Sequence, residues 1–126
     1  MEYTLKEEII DKLNQISESI EIIQQRRKGF QTVDDCLQSM IGMIILDACI
    51  LRIQVIGETI KSIDDKTKGN LFSLYPEIPW KKIIGLRNII SHEYANIDYE
   101  IIWVVITQHL FPLSTTIDRI KTDLSK

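Results

Sequence analysis

No glycine-rich phosphate loop, no HExxH pair and no cluster of acids at metal-ligand spacing occurs in the 126 residues, which removes most nucleotide- and metal-dependent chemistries. Cysteine is scarce. Cys36 and Cys49 stand thirteen residues apart on what reads as one helix, and at ~1.5 Å per residue that separation is about 20 Å, too far for a disulfide. They are expected to be free thiols in packing roles, and no Cys/His spacing suggests zinc. Basic charge is not in excess either: 15 Lys and Arg stand against 18 Asp and Glu, for a net charge of -3. Such a chain has no general attraction to nucleic acid, so any RNA-binding surface must be local, built from a few cations in a cleft. No strand alternation, internal repeat or low-complexity tract is present. The opening residues run directly into an acid-rich amphipathic pattern where a secretory leader would be apolar, and a cytoplasmic location is expected on that ground.

What is present is helical periodicity. Apolar residues make up 44% of the chain and charged residues 26%, values of a soluble globular protein, and the length fits one domain over residues 1–126 with a single core. Thr4 and Glu7 have the form of a capping box at the start of a long helix. Its stripe is Ile9, Leu13, Ile16, Ile20 and Ile23, with Asp11, Lys12, Glu18 and Glu21 toward water. The basic run 24–28 suits the negative end of that helix, and Gly29 is a stop. Thr32 and Asp35 mark a second start, and with no proline until after Gly69 the second helix is expected to run on from there as the longest.

Between residues 40 and 56 only Asp47, Arg52 and Gln54 are strongly polar, so this helix is apolar nearly all the way round. A bundle buries one stripe, so the rest needs a partner. A membrane span is too short and too polar over these residues. A homodimer interface is expected instead, with Asp47 and Arg52 pairing across the two-fold axis. Glu58, just beyond, is either a surface acid or a buried partner for a cation.

A polar helix end and loop follow over residues 62–70. Pro79 then sits at a first helical position, and Trp80, Ile83, Ile84, Arg87 and Ile90 recur at helical spacing, with Trp80 read as a core anchor. Residues 95–98 break the pattern, and Asn96 or Asp98 caps a helix carrying Ile101, Ile102, Trp103, Val105, Ile106 and Leu110. Pro112 stops or kinks it. A last helix over 113–124 buries Leu113, Ile117, Ile120 and Leu124. The predicted fold is all-α, an antiparallel bundle of four or five helices.

The chemistry is concentrated in residues 87–94, where Arg87, Asn88, Ser91, His92 and Tyr94 place a permanent cation, a carboxamide, a hydroxyl, an imidazole and a phenol together. On a helix Asn88 and His92 are i,i+4 neighbours, as are Arg87 and Ser91. Arg87 and His92 are five apart, roughly 140° around the axis. They converge on one atom only if the helix ends near His92 or a second chain supplies one of them. An imidazole moves protons near neutral pH, and a guanidinium stabilises charge growing on phosphoryl oxygens. Those two groups suffice for RNA cleavage by its own 2′-OH, which brings the nucleophile with the substrate and requires no metal or other cofactor. His109, in an apolar helix without polar neighbours, is read as structural or surface.

These residues resemble the HepT family of HEPN-domain toxins, helical partners of MNT-type minimal nucleotidyltransferases in prokaryotic toxin–antitoxin pairs. The resemblance is carried by Ile56, Gly57 and Glu58, by the run 75–80 from Tyr75 to Trp80, by the motif R-x-x-x-x-H-x-Y at Arg87, His92 and Tyr94, and by Asp98 with Trp103. It implies a homodimer whose two motif copies face a shared cleft. Arg87 and His92 would be catalytic, Asn88 and Ser91 would support them, and Lys81 or Lys82 would add positive charge. The expected activity is metal-independent endoribonuclease on an RNA substrate. The expected partner is a nucleotidyltransferase antitoxin that attaches AMP to Tyr94, and no membrane is involved. The alternative is a non-catalytic helical dimer that binds such a partner.

Overall fold

Thr4 opens the first helix, α1 (Leu5–Arg26), by accepting a hydrogen bond from the Glu7 N–H at 3.1 Å, one half of the expected capping box. The computed structural model describes residues 3–92 and 94–126, and of Ile89, Ser91, His92 and Tyr94 it describes the backbone. The α1 stripe Ile9, Leu13, Ile16, Ile20 and Ile23 is buried along its length, and Asp11, Glu18 and Glu21 face water. Gly29, at φ +92°, turns the chain after the basic run, a backbone conformation that costs glycine nothing.

The second helical segment differs from the expectation of one uninterrupted rod. α2 (Val33–Leu37) begins on a complete capping box between Thr32 and Asp35. Backbone N–H donors from Gln31 and Thr32 hold the Asp35 carboxyl below its ordinary range. The chain then breaks at Gln38 and Ser39, and the Ser39 hydroxyl caps α3 (Met40–Lys66) by accepting from the Gly42 N–H at 2.9 Å. The junction is tight: a Cβ on Gly42 would lie 2.3 Å from the Cys36 carbonyl oxygen. Cys36 and Cys49 therefore sit on different helices, and the 20 Å separation of a single rod does not apply. Both are free and buried, as expected.

α3 is the longest of the described helices, at 27 residues. By length and composition it is enough to cross a membrane, because it extends ten residues beyond the 40–56 stretch, to Lys66. Its inward face, Leu46, Ile50, Ile53, Ile56, Ile60 and Ile63, is core packed against α1, α2 and α4. Each such side chain contributes about 1.5–3 kcal/mol by leaving water. Lys66 at the end of α3 pairs with Glu8 at the start of α1 at 2.9 Å, so the two helices run antiparallel.

The chain leaves α3 through Lys68 and Gly69 at positive φ and a short 3-10 turn, Phe72–Leu74. α4 (Trp80–His92) follows, with Pro79 just ahead of its first residue as the acceptor for Lys82 and Ile83 N–H. Trp80 is the expected core anchor: its ring stacks on Phe72 with centroids 4.0 Å apart, and its indole N–H donates to the Tyr75 carbonyl at 2.8 Å. The Tyr75 hydroxyl donates to Asp123 at 2.6 Å, tying this loop to the last helix, and burial together with that acid raises the phenol to about 12.

Asp98 caps α5 (Tyr99–Val104) by accepting from Glu100 and Ile101 N–H. A π turn, Val105–His109, leads directly into α6 (Leu110–Leu124), with Leu110 N–H donating five residues back to the Val105 carbonyl. The last helix thus starts at Leu110, three residues before the expected 113. Pro112 lacks an N–H and its ring crowds the carbonyl four residues back, and the wider turn accommodates both. Gln24, near the end of α1, donates to the Ile106 carbonyl at 2.9 Å, and Lys121 reaches Ser17 at 3.1 Å, so α6 also runs antiparallel to α1. Counting α5, the π turn and α6 as one kinked rod, five helical rods form an all-α bundle among the described residues.

Candidate active site

α4 carries the candidate site because α3 lets it approach closely. A Cβ on Gly57 would meet the Ile83 carbonyl oxygen at 3.1 Å and the Arg87 Cβ at 3.3 Å, tighter than side chains tolerate without a shift. Glycine at this position brings the stem of Arg87 against α3. One residue further along α3, the Glu58 carboxylate lies 3.7 Å from Arg87 Nη1. Of the two roles open to Glu58 the structure gives a mixture: it partners a cation, yet its side chain is 52% exposed. Water screens such a pair, which is worth about 0–1 kcal/mol.

Arg87 itself is 25% exposed in its side chain. Its Nε is closed off from solvent and has no hydrogen-bond partner among the described residues. Asn88, the next residue, is exposed. The side chains of Ser91, His92 and Tyr94 lie outside the described residues, and so does Glu93. Their backbone placement bears on the angular argument: α4 ends at His92, and Tyr94 opens a separate 3-10 turn, Tyr94–Asn96. A helix end at His92 is one of the two conditions under which Arg87 and His92 can serve one reacting atom. Tyr94 falls where the helix gives way to the loop that leads to the Asp98 cap.

Lys81 and Lys82 are exposed in the first turn of α4, where they flank a groove of about 480 Å³ with Asp64, Gly69 and Pro76. They stand six and five residues before Arg87, about 8–9 Å along the helix axis. His109 is exposed and lines a different groove, of about 490 Å³, with Glu77, Pro79 and Pro112. The structure thus joins Arg87 to Glu58 and Gly57, and sets His109 on a groove that α4 also lines, through Lys82, Ile83 and Leu86. Gly57 stood in the sequence as a carrier of the resemblance, but its place against Arg87 did not, because that is a close contact of two helices and no local pattern of residue types marks it.

The family model described as ribonuclease HepT-like matches residues 16–120, which include Gly57, Glu58 and the whole 87–94 stretch. A protein of Methanocaldococcus jannaschii named as a gamma-glutamylcyclotransferase and candidate RNase is 34% identical over 114 residues, covering 90% of this chain and 48% of that relative. A candidate RNase of Caldanaerobacter subterraneus subsp. tengcongensis is 26% identical over 86% of this chain and 89% of its own length. A protein of Thermococcus cleftensis named as a probable ribonuclease HepT is 25% identical over 88% of this chain and 94% of its own. The chain spans about half the length of the first curated relatives it matches. No solved structure matches it. The chain belongs to the HepT-like ribonuclease family.

Proposed function

We propose that this chain is a metal-independent endoribonuclease, the toxin of a toxin–antitoxin pair, whose site is shared between two copies and uses Arg87 and His92. The observation that carries the reading is the R-x-x-x-x-H-x-Y motif on a helix described as far as His92 and followed by a separate 3-10 turn from Tyr94, inside residues matched to a ribonuclease family. In the proposed reaction an imidazole takes the proton of the 2′-OH while that oxygen attacks the adjacent phosphorus. The P–O5′ bond breaks, and the same imidazole, now protonated, gives that proton to the departing 5′-oxygen. The products are a 2′,3′-cyclic phosphate and a 5′-OH. Arg87 neutralises the charge that gathers on the non-bridging oxygens. Asn88 and Ser91 are assigned supporting contacts.

Two copies give a reason for an acidic protein to hold RNA. Two guanidiniums at one cleft, with Lys81 and Lys82 nearby, supply the local positive field that a net charge of -3 does not. Control is proposed to come from an MNT-type nucleotidyltransferase that adenylylates Tyr94, adding a phosphate and a bulky base where the RNA backbone must lie.

The test is cleavage of RNA by the purified chain in EDTA. The expected result is cyclic phosphate ends with the wild type and none with Arg87→Ala or His92→Ala. Equal cleavage by the wild type and the His92 variant, purified from the same host, would instead leave the non-catalytic helical partner of a nucleotidyltransferase as the reading.

A further inference from the structure

Arg87 meets α3 at two consecutive residues, its stem at Gly57 and its head at Glu58. Resting on the reading of Arg87 as the phosphate-binding group, we infer that Gly57 and Glu58 form a seat that positions this guanidinium for the reaction. Gly57 sets the depth. With no Cβ it lets α4 close onto α3 until the Arg87 stem is in van der Waals contact, so the side chain leaves the helix along one fixed line. Glu58 sets the direction. Its carboxylate at 3.7 Å draws Nη1 to one side, and the guanidinium, being planar, is then fixed in the orientation of its remaining N–H groups.

The orphaned Nε fits this division. A freely rotating arginine on a helix surface would turn its Nε to water, whereas here the Nε is closed off from solvent, without an acceptor among the described residues. The guanidinium is therefore constrained. Glu58 does not itself reach the RNA in this scheme; it acts through Arg87 and is a positioning residue. The sign of its charge makes the inference separable from simple attraction. An acid beside a phosphate-binding group repels RNA, so neutralising it cannot weaken binding by loss of charge, while it does release the guanidinium. A misplacement of about 1 Å costs roughly 10²-fold in rate.

The experiment compares wild type, Glu58→Gln, Gly57→Ala and Arg87→Ala, all as full chains, in cleavage of a mixed-sequence single-stranded RNA. Affinity is measured in parallel for the same sequence with 2′-deoxy sugars, which cannot be cleaved. Glu58→Gln is expected to lower kcat by about ten- to a hundred-fold, with affinity for the deoxy strand unchanged or tighter and with thermal unfolding unmoved, since Glu58 is half-exposed. Gly57→Ala is expected to lower kcat in the same way while melting earlier. Wild-type kcat in Glu58→Gln overturns the inference, and so does a parallel fall in kcat, affinity and melting temperature, which would make Glu58 a folding residue. If Arg87→Ala cleaves like the wild type, the ribonuclease reading of Arg87 has failed. If Arg87→Ala is inactive and Glu58→Gln is unimpaired, that reading stands and the seat alone has failed.

Discussion

His92 and His109 are the two imidazoles of the chain, and they differ in what the fold puts beside them. His109 ends the π turn and is exposed on a groove lined by Lys82, Leu86, Val105 and Pro112. His92 ends α4, five residues after Arg87. His92→Ala is expected to lower RNA cleavage by about 10²–10⁴-fold, the usual range for loss of a general acid–base, and His109→Ala to leave it close to wild type; initial rates on one RNA compare them. Tyr94→Phe keeps the ring and removes the acceptor oxygen. Co-expressed with the proposed nucleotidyltransferase, it is expected to show no adenylyl mass on the residue 94 peptide and to stay toxic, while the wild-type peptide gains that mass.

The thiols give a pH test at the same scale. Burial lifts Cys49 to about 11, Arg26 pulls it partly back, and the nearby Cys36 adds to the rise. The unfolded thiol ionises near 8.5, so the folded value is the higher one. Its contribution to stability is full below about 8.5 and is lost as pH rises through about 11. Folded protein at pH 8 is expected to resist thiol reagents at both cysteines, and unfolded protein to react at both. The motif at Arg87, His92 and Tyr94 was legible in the sequence because its chemistry is local and its residue types are rare in an apolar helix. Gly57 and Glu58 were named there too, but not their contact with Arg87, because they lie about thirty residues away and are joined to it only by helix packing.

At the scale of elements, the apolar stripes predicted the bundle. Five of five stripe residues in α1 are buried, because a helix of 22 residues repeats its pattern often enough to fix the inward face. The two errors have separate causes. Residues 38 and 39 carry no proline or glycine, and the break there comes from Ser39 competing as a cap and from Gly42 admitting the Cys36 backbone. Pro112 was expected to stop or kink the helix, with a new one from 113; the chain kinks through a π turn, and the last helix starts at Leu110. Gly42→Ala tests the first point. A Cβ at 2.3 Å from a carbonyl oxygen cannot be absorbed by a rotamer change, and the variant is expected to lose about 1–3 kcal/mol in a urea titration, as overpacked sites do. A neutral Gly42→Ala would mean that α2 does not pack against α3 as closely as described.

On the molecule as a whole, the face of α3 that the core does not use is still apolar. Ile41 is 69% exposed, Ile44 61% and Leu51 60%, and with Val55 they recur at helical spacing on one side. A partner over this stripe is proposed to be a second copy, as the surplus apolar surface in the sequence led us to expect. The wild type is expected to sediment as a dimer, and Ile44→Glu with Leu51→Glu as a monomer at the same concentration, with the helical content kept because neither side chain is in the core. Two copies also supply the second way for Arg87 and His92 to meet. The most direct measurement therefore mixes two inactive proteins. Arg87→Ala and His92→Ala chains, carrying different tags, are co-expressed and the mixed dimer is isolated. If Arg87 of one copy works with His92 of the other, one of the two sites in each mixed dimer is intact, and RNA cleavage in EDTA returns to about half the wild-type rate. A mixed dimer as inactive as either parent would contradict a site shared between two copies.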